Sequence, residues 1–469
     1  MKKIFLFFLL PIAACQVSAE SLSLDSCITM ALQNNRQLVS SQKLAEKHKY
    51  EVKAYRANFF PNFKLMANDV WSNTEGTMNL QSAYLPTYSY NAATGSLTPN
   101  VLTDALGNVV MNGSTPVFTS YAYFPGVDID YKIGNIFQAG LSLEQPLYMG
   151  GKVVTAYKMA KLGREMAQYG EQLSQSQVIV KVQEAYALLV RADEMHKVAV
   201  QYDSLLQVLL TDVQNAEKRG LRSHNDVLKV QVKVSEARLQ VRQAENGQRL
   251  AAMNLCHCIG LPLTTEVEAE TESITAHPQT WADPSATVTD RPEYHVLQLK
   301  SELASRQVKL ERSEYLPEVV LGASYSYLNG IEVLDKKLLS KPSLGVLLSV
   351  KIPLYHANEG FNKVRAARLE AERTQLEQED LEEQLNLELA QAANNLDEAY
   401  LEVGLAEQTL AQAEENLRSS RGSFDQGMES LSDLLEAQTL WQQAYAKLAN
   451  ARTNLFVAAT KYKKASGQL

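Results

Sequence analysis

The chain has 469 residues, 45% of them hydrophobic and 21% charged, with a formal net charge of −8 at pH 7. Its mean hydropathy is −0.22. No basic patch dominates, which argues against nucleic acid as a partner, and beyond the N-terminal segment no run of 18 or more apolar residues offers a transmembrane helix. Four cysteines in a chain of this length do not make a disulfide scaffold.

Residues 1–19 read as a secretory signal. Lys2 and Lys3 give the positive start, Ile4 to Ala14 the apolar stretch, and Val17-Ser18-Ala19 a small-residue cleavage site before Glu20. A second reading stands beside it: Ile12-Ala13-Ala14-Cys15 resembles a bacterial lipoprotein box, in which Cys15 is lipidated and becomes the first residue. Under either reading the mature chain leaves the cytoplasm.

A helix is predicted over about Asp25–Asn58. Alternation follows, with Phe63, Leu65, Ala67 and Trp71 on one face, and Lys64, Asn68 and Asp69 keeping only partly to the other. Residues 72–136 are rich in Asn, Thr, Ser, Gly, Pro and Tyr and are expected to form a long external loop ordered only in part. Ala139, Leu141 and Leu143 then alternate with Gln138, Gly140, Ser142 and Glu144. After Gly150-Gly151, residues 152–219 contain no proline, and Val178, Val182, Ala185, Leu188 and Leu189 give the spacing of a packed helical face. Such a helix is about 100 Å long, a rod suited to a coiled coil or helical tube rather than a globular domain. A turn at Arg219-Gly220-Leu221 leads into a returning helix from about Ser223 to Cys258.

Residues 261–290, with Pro262, Pro278, Pro284 and many acids, are expected to link two halves and to lie as a belt around the middle of the rods. The second half begins with a helix over about Arg291–Tyr315. Val319, Leu321, Ala323, Tyr325 and Tyr327 mark one strand face, and Leu344, Val346, Leu348, Val350 and Ile352 another. A second long helix runs from about Glu359 to Gln426, turns at Gly427-Met428, and returns from Ser430 to Ala465.

The halves are copies. A shift of 207 positions puts Pro146-Leu147-Tyr148 on Pro353-Leu354-Tyr355, Gly220 on Gly427, Ser223 on Ser430, Asp226 on Asp433, Gln231 on Gln438 and Gly260 on Gly467, without a gap. A shift of 256 puts Asn35 on Arg291 and Pro61 on Pro317, so one loop of the first copy is 49 residues longer than its counterpart. The predicted organisation is a signal (1–19), a first repeat (20–260), an equatorial linker (261–290) and a second repeat (291–469). The predicted fold is mainly α, built from duplicated helix–β-hairpin–helix units with a membrane β-barrel portion. Strands of about ten alternating residues with aromatic ends are those of outer-membrane barrels. Four strands cannot close one, and lipid does not tolerate open sheet edges; three copies supply twelve.

Chemistry is sparse. Cys256-His257-Cys258 has the composition of a metal site, but residues two apart on a helix point in nearly opposite directions, so the thiols do not converge on one ion or on each other. The seven histidines are scattered, and none sits in a zinc-protease, nucleophile-elbow or phosphate-loop motif. Neither an enzyme nor a cofactor is expected.

Duplicated units, long rods and a secretory signal together resemble the TolC family of outer-membrane efflux channels. Most specific are the turns Gly220-Leu221-Arg222-Ser223-His224-Asn225-Asp226-Val227 and Gly427-Met428-Glu429-Ser430-Leu431-Ser432-Asp433-Leu434-Leu435-Glu436. The resemblance implies a homotrimer whose twelve-stranded barrel sits among the outer-membrane lipids and continues into a twelve-helix tunnel across the periplasm. It also implies a periplasmic adaptor and an inner-membrane pump of RND or ABC type, serving efflux or type I secretion. The family's acidic pore ring falls on Asp433 and Glu436, and its first-copy latch aspartate on Asp226. A latch aromatic falls on Phe424, which lacks a hydroxyl. The latch arginine falls on Glu429, a charge reversal for which Arg222 or Arg219 of the other turn is the candidate substitute.

Plainer readings of these residues stand alongside. Ser223-x-x-Asp226 and Ser430-x-x-Asp433 are capping boxes, and Gly220 and Gly427 suit positive φ at helix ends. The exposed tips Leu221, Arg222, Met428 and Glu429 are the expected adaptor-docking surface. The alternative function is a periplasmic coiled-coil adaptor, which unlike a channel needs no detergent once the membrane is removed.

Overall fold

The computed structural model describes residues 20–270, 274, 282–283, 285–334, 336–338, 341–355 and 357–469. The signal reading of residues 1–19, the lipidation of Cys15 included, lies outside the described residues, as do Pro278 and Pro284 of the linker. Two compact units emerge. One is helical (up to Tyr55, Val154–Arg312 and Asn358–Leu469); the other is built of strands (Arg56–Val153 and Ser313–Ala357).

The helical unit contains α1 (Leu24–Asn34), α2 (Arg36–Ala57), α3 (Lys152–Lys218), α4 (His224–Ile259), α5 (Pro292–Ser313), α6 (Glu359–Asp425) and α7 (Leu431–Ala465). The long helices α3 and α6 are both 67 residues, about 100 Å each. Their apolar stripes meet the returning helices in three buried clusters. Val178, Val182, Tyr186 and Leu189 of α3 join Leu255 and Ile259 of α4. Leu396 and Val403 of α6 join Leu455 and Tyr462 of α7. The third cluster, near the turns, draws on all four helices.

The helix expected over about Asp25–Asn58 is two helices. Asn35 between them is extended (φ −67°, ψ 120°), and its side chain stabilises the break. Its Oδ1 accepts from the backbone N–H of Gln37 and Leu38 at the start of α2, while its Nδ2 donates to the Cys258 carbonyl. A side chain that satisfies free N–H groups competes with continuous helix, and here it wins.

The linker contacts the helical unit at several points. Its strand β11 (Val267–Ala269) pairs in parallel with β1 (Glu20–Leu22). The Tyr186 hydroxyl, half-way along α3, lies 2.9 Å from the Leu22 carbonyl and 3.1 Å from that of Glu270. On the other side the Asp283 N–H donates to the Tyr462 hydroxyl at 2.6 Å. Arg291, 1% exposed, closes the linker with ion pairs to Glu293 (3.0 Å) and Glu388 (2.8 Å).

The β unit is built on one six-stranded antiparallel sheet. Its long central strands are β10 (Val127–Met149) and β12 (Glu318–Val333). On the free side of β10 lie β2 (Asn62–Val70) and, further along, β3 (Thr74–Leu80). On the free side of β12 lie β14 (Ser343–Lys351) and β13 (Lys336–Leu338).

The segment expected as a partly ordered loop is instead folded. β3 and the first residues of β10 extend the sheet, and short antiparallel pairs fill the rest. These are β4 (Ala83–Pro86) with β9 (Tyr121–Phe124), β5 (Tyr88–Asn91) with β6 (Ser96–Pro99), and β7 (Met111–Asn112) with β8 (Thr115–Pro116). Composition misled here, because polar Thr, Tyr and Ser pair well across strands even where no hydrophobic alternation marks them.

Candidate functional site

Cross-strand register turns the alternation into two different faces. Leu65, Leu141, Tyr325 and Leu344 lie in one row across all four strands, and Phe63, Leu143, Ala323 and Val346 in the next. On the opposite face the rows read Lys64, Ser142, Ser324 and Gly345, then Met66, Gly140, Ser326 and Ser343. Leu65, Leu344 and Val346 are 80%, 75% and 72% exposed. Such exposure of a continuous apolar row is costly in water and natural in lipid. Asp69 breaks the pattern: it shares the parity of Phe63, at the end of β2, opposite Phe137. Among the described residues the outer edges of β2 and β14 have no strand partner.

The two turns are built alike. The Leu221 N–H donates to Ala216 and the Gly220 N–H to Glu217; Met428 and Gly427 repeat this with Ser423 and Phe424. This pairing closes a helix around a left-handed residue, and Gly220 (φ +76°) and Gly427 (φ +75°) supply it. Capping boxes then start the returning helices. The Ser223 hydroxyl accepts from the Asp226 N–H, and the Asp226 carboxylate accepts from the Ser223 N–H at 3.2 Å. Ser430 and Asp433 do the same, at 3.3 Å.

Of the candidate residues, Phe424 and Arg222 are brought together. Phe424 is 8% exposed, within the cluster that joins Leu206 and Leu209 of α3, Val230 of α4 and Leu434 of α7. The Arg222 guanidinium lies 4.4 Å from its ring centroid. Arg219 stays on its own helix, donating to the Asn215 carbonyl. Glu429 is half-buried, and Asp433 and Glu436 are exposed one helical turn apart on α7. Leu221 and Met428, equivalent in the repeat, are 71% and 72% exposed.

One pair escaped the sequence reading. Arg421 of α6 donates to Asp212 of α3 at 2.7 Å and also lies 3.4 Å from Asp425. The shift of 207 puts neither residue on a charged counterpart, so the repeat carried no signal for them. Arg421 also borders a groove of about 690 Å³ beside the turns, lined by Val200, Ser204, Val208, Leu417 and Trp441.

Cys256 is buried against the α1 cluster, its thiol donating to the Thr265 carbonyl, while Cys258 is only half-buried. Burial, then proximity to Cys256, pushes the Cys27 thiol up to about 11. Among the described residues no three His, Cys, Asp or Glu side chains cluster as a metal site would need, and no helix is long and apolar enough to cross a membrane.

Residues 119–261 and 284–468 match the family described as outer membrane efflux protein. The chain is 25% identical over 353 residues to the alkaline protease secretion protein AprF of Pseudomonas aeruginosa, covering 73% of this chain and 71% of that one. It is 22% identical over 344 residues to the outer membrane protein TolC of Vibrio cholerae, covering 71% and 77%. Among solved structures, the Campylobacter jejuni CmeC outer membrane channel superposes with a TM-score of 0.74 at 16% identity, covering 95% of this chain and 85% of that one.

Proposed function

Because this chain belongs to the outer membrane efflux protein family, we propose that it works as the exit duct of a tripartite efflux or type I secretion system. It is an outer-membrane channel and a conduit, not an enzyme. A periplasmic adaptor and an inner-membrane pump complete the system in this reading.

The observation that carries the reading is the sheet, with apolar rows on one face, mostly polar or small residues on the other, and, among the described residues, no strand partner at either outer edge. Lipid leaves no water to satisfy an open edge. Three copies, each joining β2 to the next copy's β14, give a closed barrel of twelve strands with the apolar rows outward. The same three copies contribute twelve helical segments to a periplasmic tunnel. A one-sided apolar sheet also speaks against a soluble periplasmic adaptor.

The paired turns form the periplasmic aperture in this reading. Asp433 and Glu436 of three copies make an acidic ring, and Asp226 combines capping with the latch. Phe424 is latched by Arg222 in place of an arginine at Glu429. Leu221, Arg222, Met428 and Glu429, with the glycines 220 and 427 that shape them, meet the adaptor. The mass of the detergent-solubilised particle tests the assembly: three chains, with ion conductance in planar bilayers, are expected. A stable monomer retaining its strands would sink the closed-barrel reading.

A further inference from the structure

β10 is 23 residues long, whereas its partner β2 has only 9, about the length that crosses a bilayer. The excess does not fray. It pairs with β3 from Val127↔Leu80 to Ile133↔Thr74, and the ribbon continues as β4 and β9 to Pro86↔Tyr121. Beyond that, the Thr87 N–H donates to Ser120, the Asn100 N–H to Thr87 and the Leu102 N–H to Val117. The Thr87 hydroxyl bonds to that of Ser120 and accepts from the Asn100 side-chain amide. Residues 72–126 are therefore a folded stalk with hairpins at its end. Among the described residues the second copy has only the three-residue β13 between β12 and β14, paired with the end of β12.

Two properties of this stalk are unusual together. It is aromatic at its surface: Tyr84 and Tyr123 face each other with ring centroids 5.2 Å apart yet are 69% and 58% exposed. Tyr90, Leu97 and Leu106 are 67%, 67% and 87% exposed. It is also nearly uncharged. Residues 72–126 contain no Lys, Arg or His, and their only acids are Glu75 and Asp104. Asp104 is tied into its own turn, accepting from the N–H groups of Leu106 and Asn108, bonds that hold its carboxyl below the ordinary range.

We propose that the stalks of three copies dock on one another and form an aromatic lid over the outer mouth of the barrel. The inference rests on the trimeric reading above. Identical surfaces that meet bring like charges together, and a surface with almost none meets its copy without repulsion. The same lack of cations disfavours anionic lipid headgroups as the occupant. β3 lies on the same side of the sheet as β2, whose edge must meet the next copy, so the stalk grows out of the closing seam. Barrel closure also holds the three stalks at high effective concentration, which lets modest aromatic contacts form.

Leu106→Cys and Tyr90→Cys, made separately in the full chain, test this in the detergent-solubilised particle with a short bismaleimide. A crosslinked band of two chains is expected on denaturing gels, since one stalk thiol per chain joins two copies. Replacing residues 87–120 by an Asn-Gly turn between the paired Pro86 and Tyr121 should then raise single-channel conductance. Particles of three chains with neither crosslinks nor a conductance change overturn the lid alone, whereas particles lacking three chains overturn barrel closure and the lid together. Binding of a neutral glycan on an array, lost in Tyr90→Ala and unaccompanied by crosslinks, assigns the surface to sugar and overturns the lid as well.

Discussion

Arg222 stands over the ring of Phe424, 4.4 Å from its centroid, and so joins the turn of the first repeat to the end of the long helix of the second. The resemblance locates a latch arginine at Glu429 and a hydroxyl at Phe424, and this chain has neither. Here a cation on the opposite turn meets a bare aromatic ring instead.

Read as a latch, this contact predicts different effects for its two partners. Phe424→Ala removes a core residue and should cost about 3–5 kcal/mol of stability. Arg222→Ala loses a half-exposed cation–π contact of about 0.5–1 kcal/mol, yet should lengthen open times in single-channel recordings. Arg222→Lys should restore part of the closure. If Arg222→Ala lowers the melting temperature while channel closures stay unchanged, the contact is structural only.

The glycines rank themselves by what lies around them. A Cβ at Gly220 or Gly427 would meet nothing within 4 Å, so Ala there pays only for left-handed backbone, about 1–2 kcal/mol. At Gly260 the added Cβ would also come within 2.8 Å of the Asn34 Cβ, adding an overpacking cost of about 1–3 kcal/mol. Gly467 meets Asp290, the repeat-equivalent of Asn34, at 3.3 Å and should fall between. Thermal melts of the four Ala variants check the order.

Leu221 and Met428 occupy equivalent, largely exposed positions, and neither stabilises the core. Leu221→Asp with Met428→Asp should therefore leave the melting temperature and outer-membrane delivery intact while abolishing export, if an adaptor meets the tips. Export at the normal rate in that double variant removes the tips from the docking surface.

Asp193 of α3 has a buried carboxylate oxygen without a hydrogen-bond partner among the described residues. Burial raises its pKa, against the opposing effect of Gln248. A folded-state pKa above the unfolded value, about 4, means the charged form costs stability. That cost is fully present above the folded pKa and vanishes below the unfolded one. Asp193→Asn should thus stabilise the protein at neutral pH, and the gain should shrink as pH falls into the carboxylate range. A gain independent of pH would point to a packing effect instead.

Elements with a strong period were legible in the residues: the long helices, the returning helices and the alternation of β12 and β14 all follow from spacing. The break at Asn35 was not, because it depends on a hydrogen bond to Cys258, 223 positions away. The stalk was not either, since its pairing rests on backbone and Tyr or Thr contacts without an apolar face to mark them. At the turns, the glycines and capping boxes were readable as local chemistry, whereas the Arg421–Asp212 pair arises only when separate helices pack.

In the proposed acidic ring, Asp433 and Glu436 divide between a local and an assembled role. Asp433 caps α7 through Ser430, and Glu436 stands one turn further on, exposed and outside the capping box. Three copies would gather six carboxylates in a narrow passage, a geometry that concentrates cations. Glu436→Gln removes charge without touching the cap, so it should lower cation selectivity and weaken block by multivalent cations at nearly unchanged stability. Asp433→Asn keeps an acceptor oxygen for the Ser430 N–H and should act similarly, whereas Asp433→Ala should also cost about 1 kcal/mol through the lost cap. Reversal potentials under a salt gradient, measured beside thermal melts of the same samples, distinguish the two. Selectivity that survives Glu436→Gln combined with Asp433→Asn leaves Asp433 as a helix cap alone.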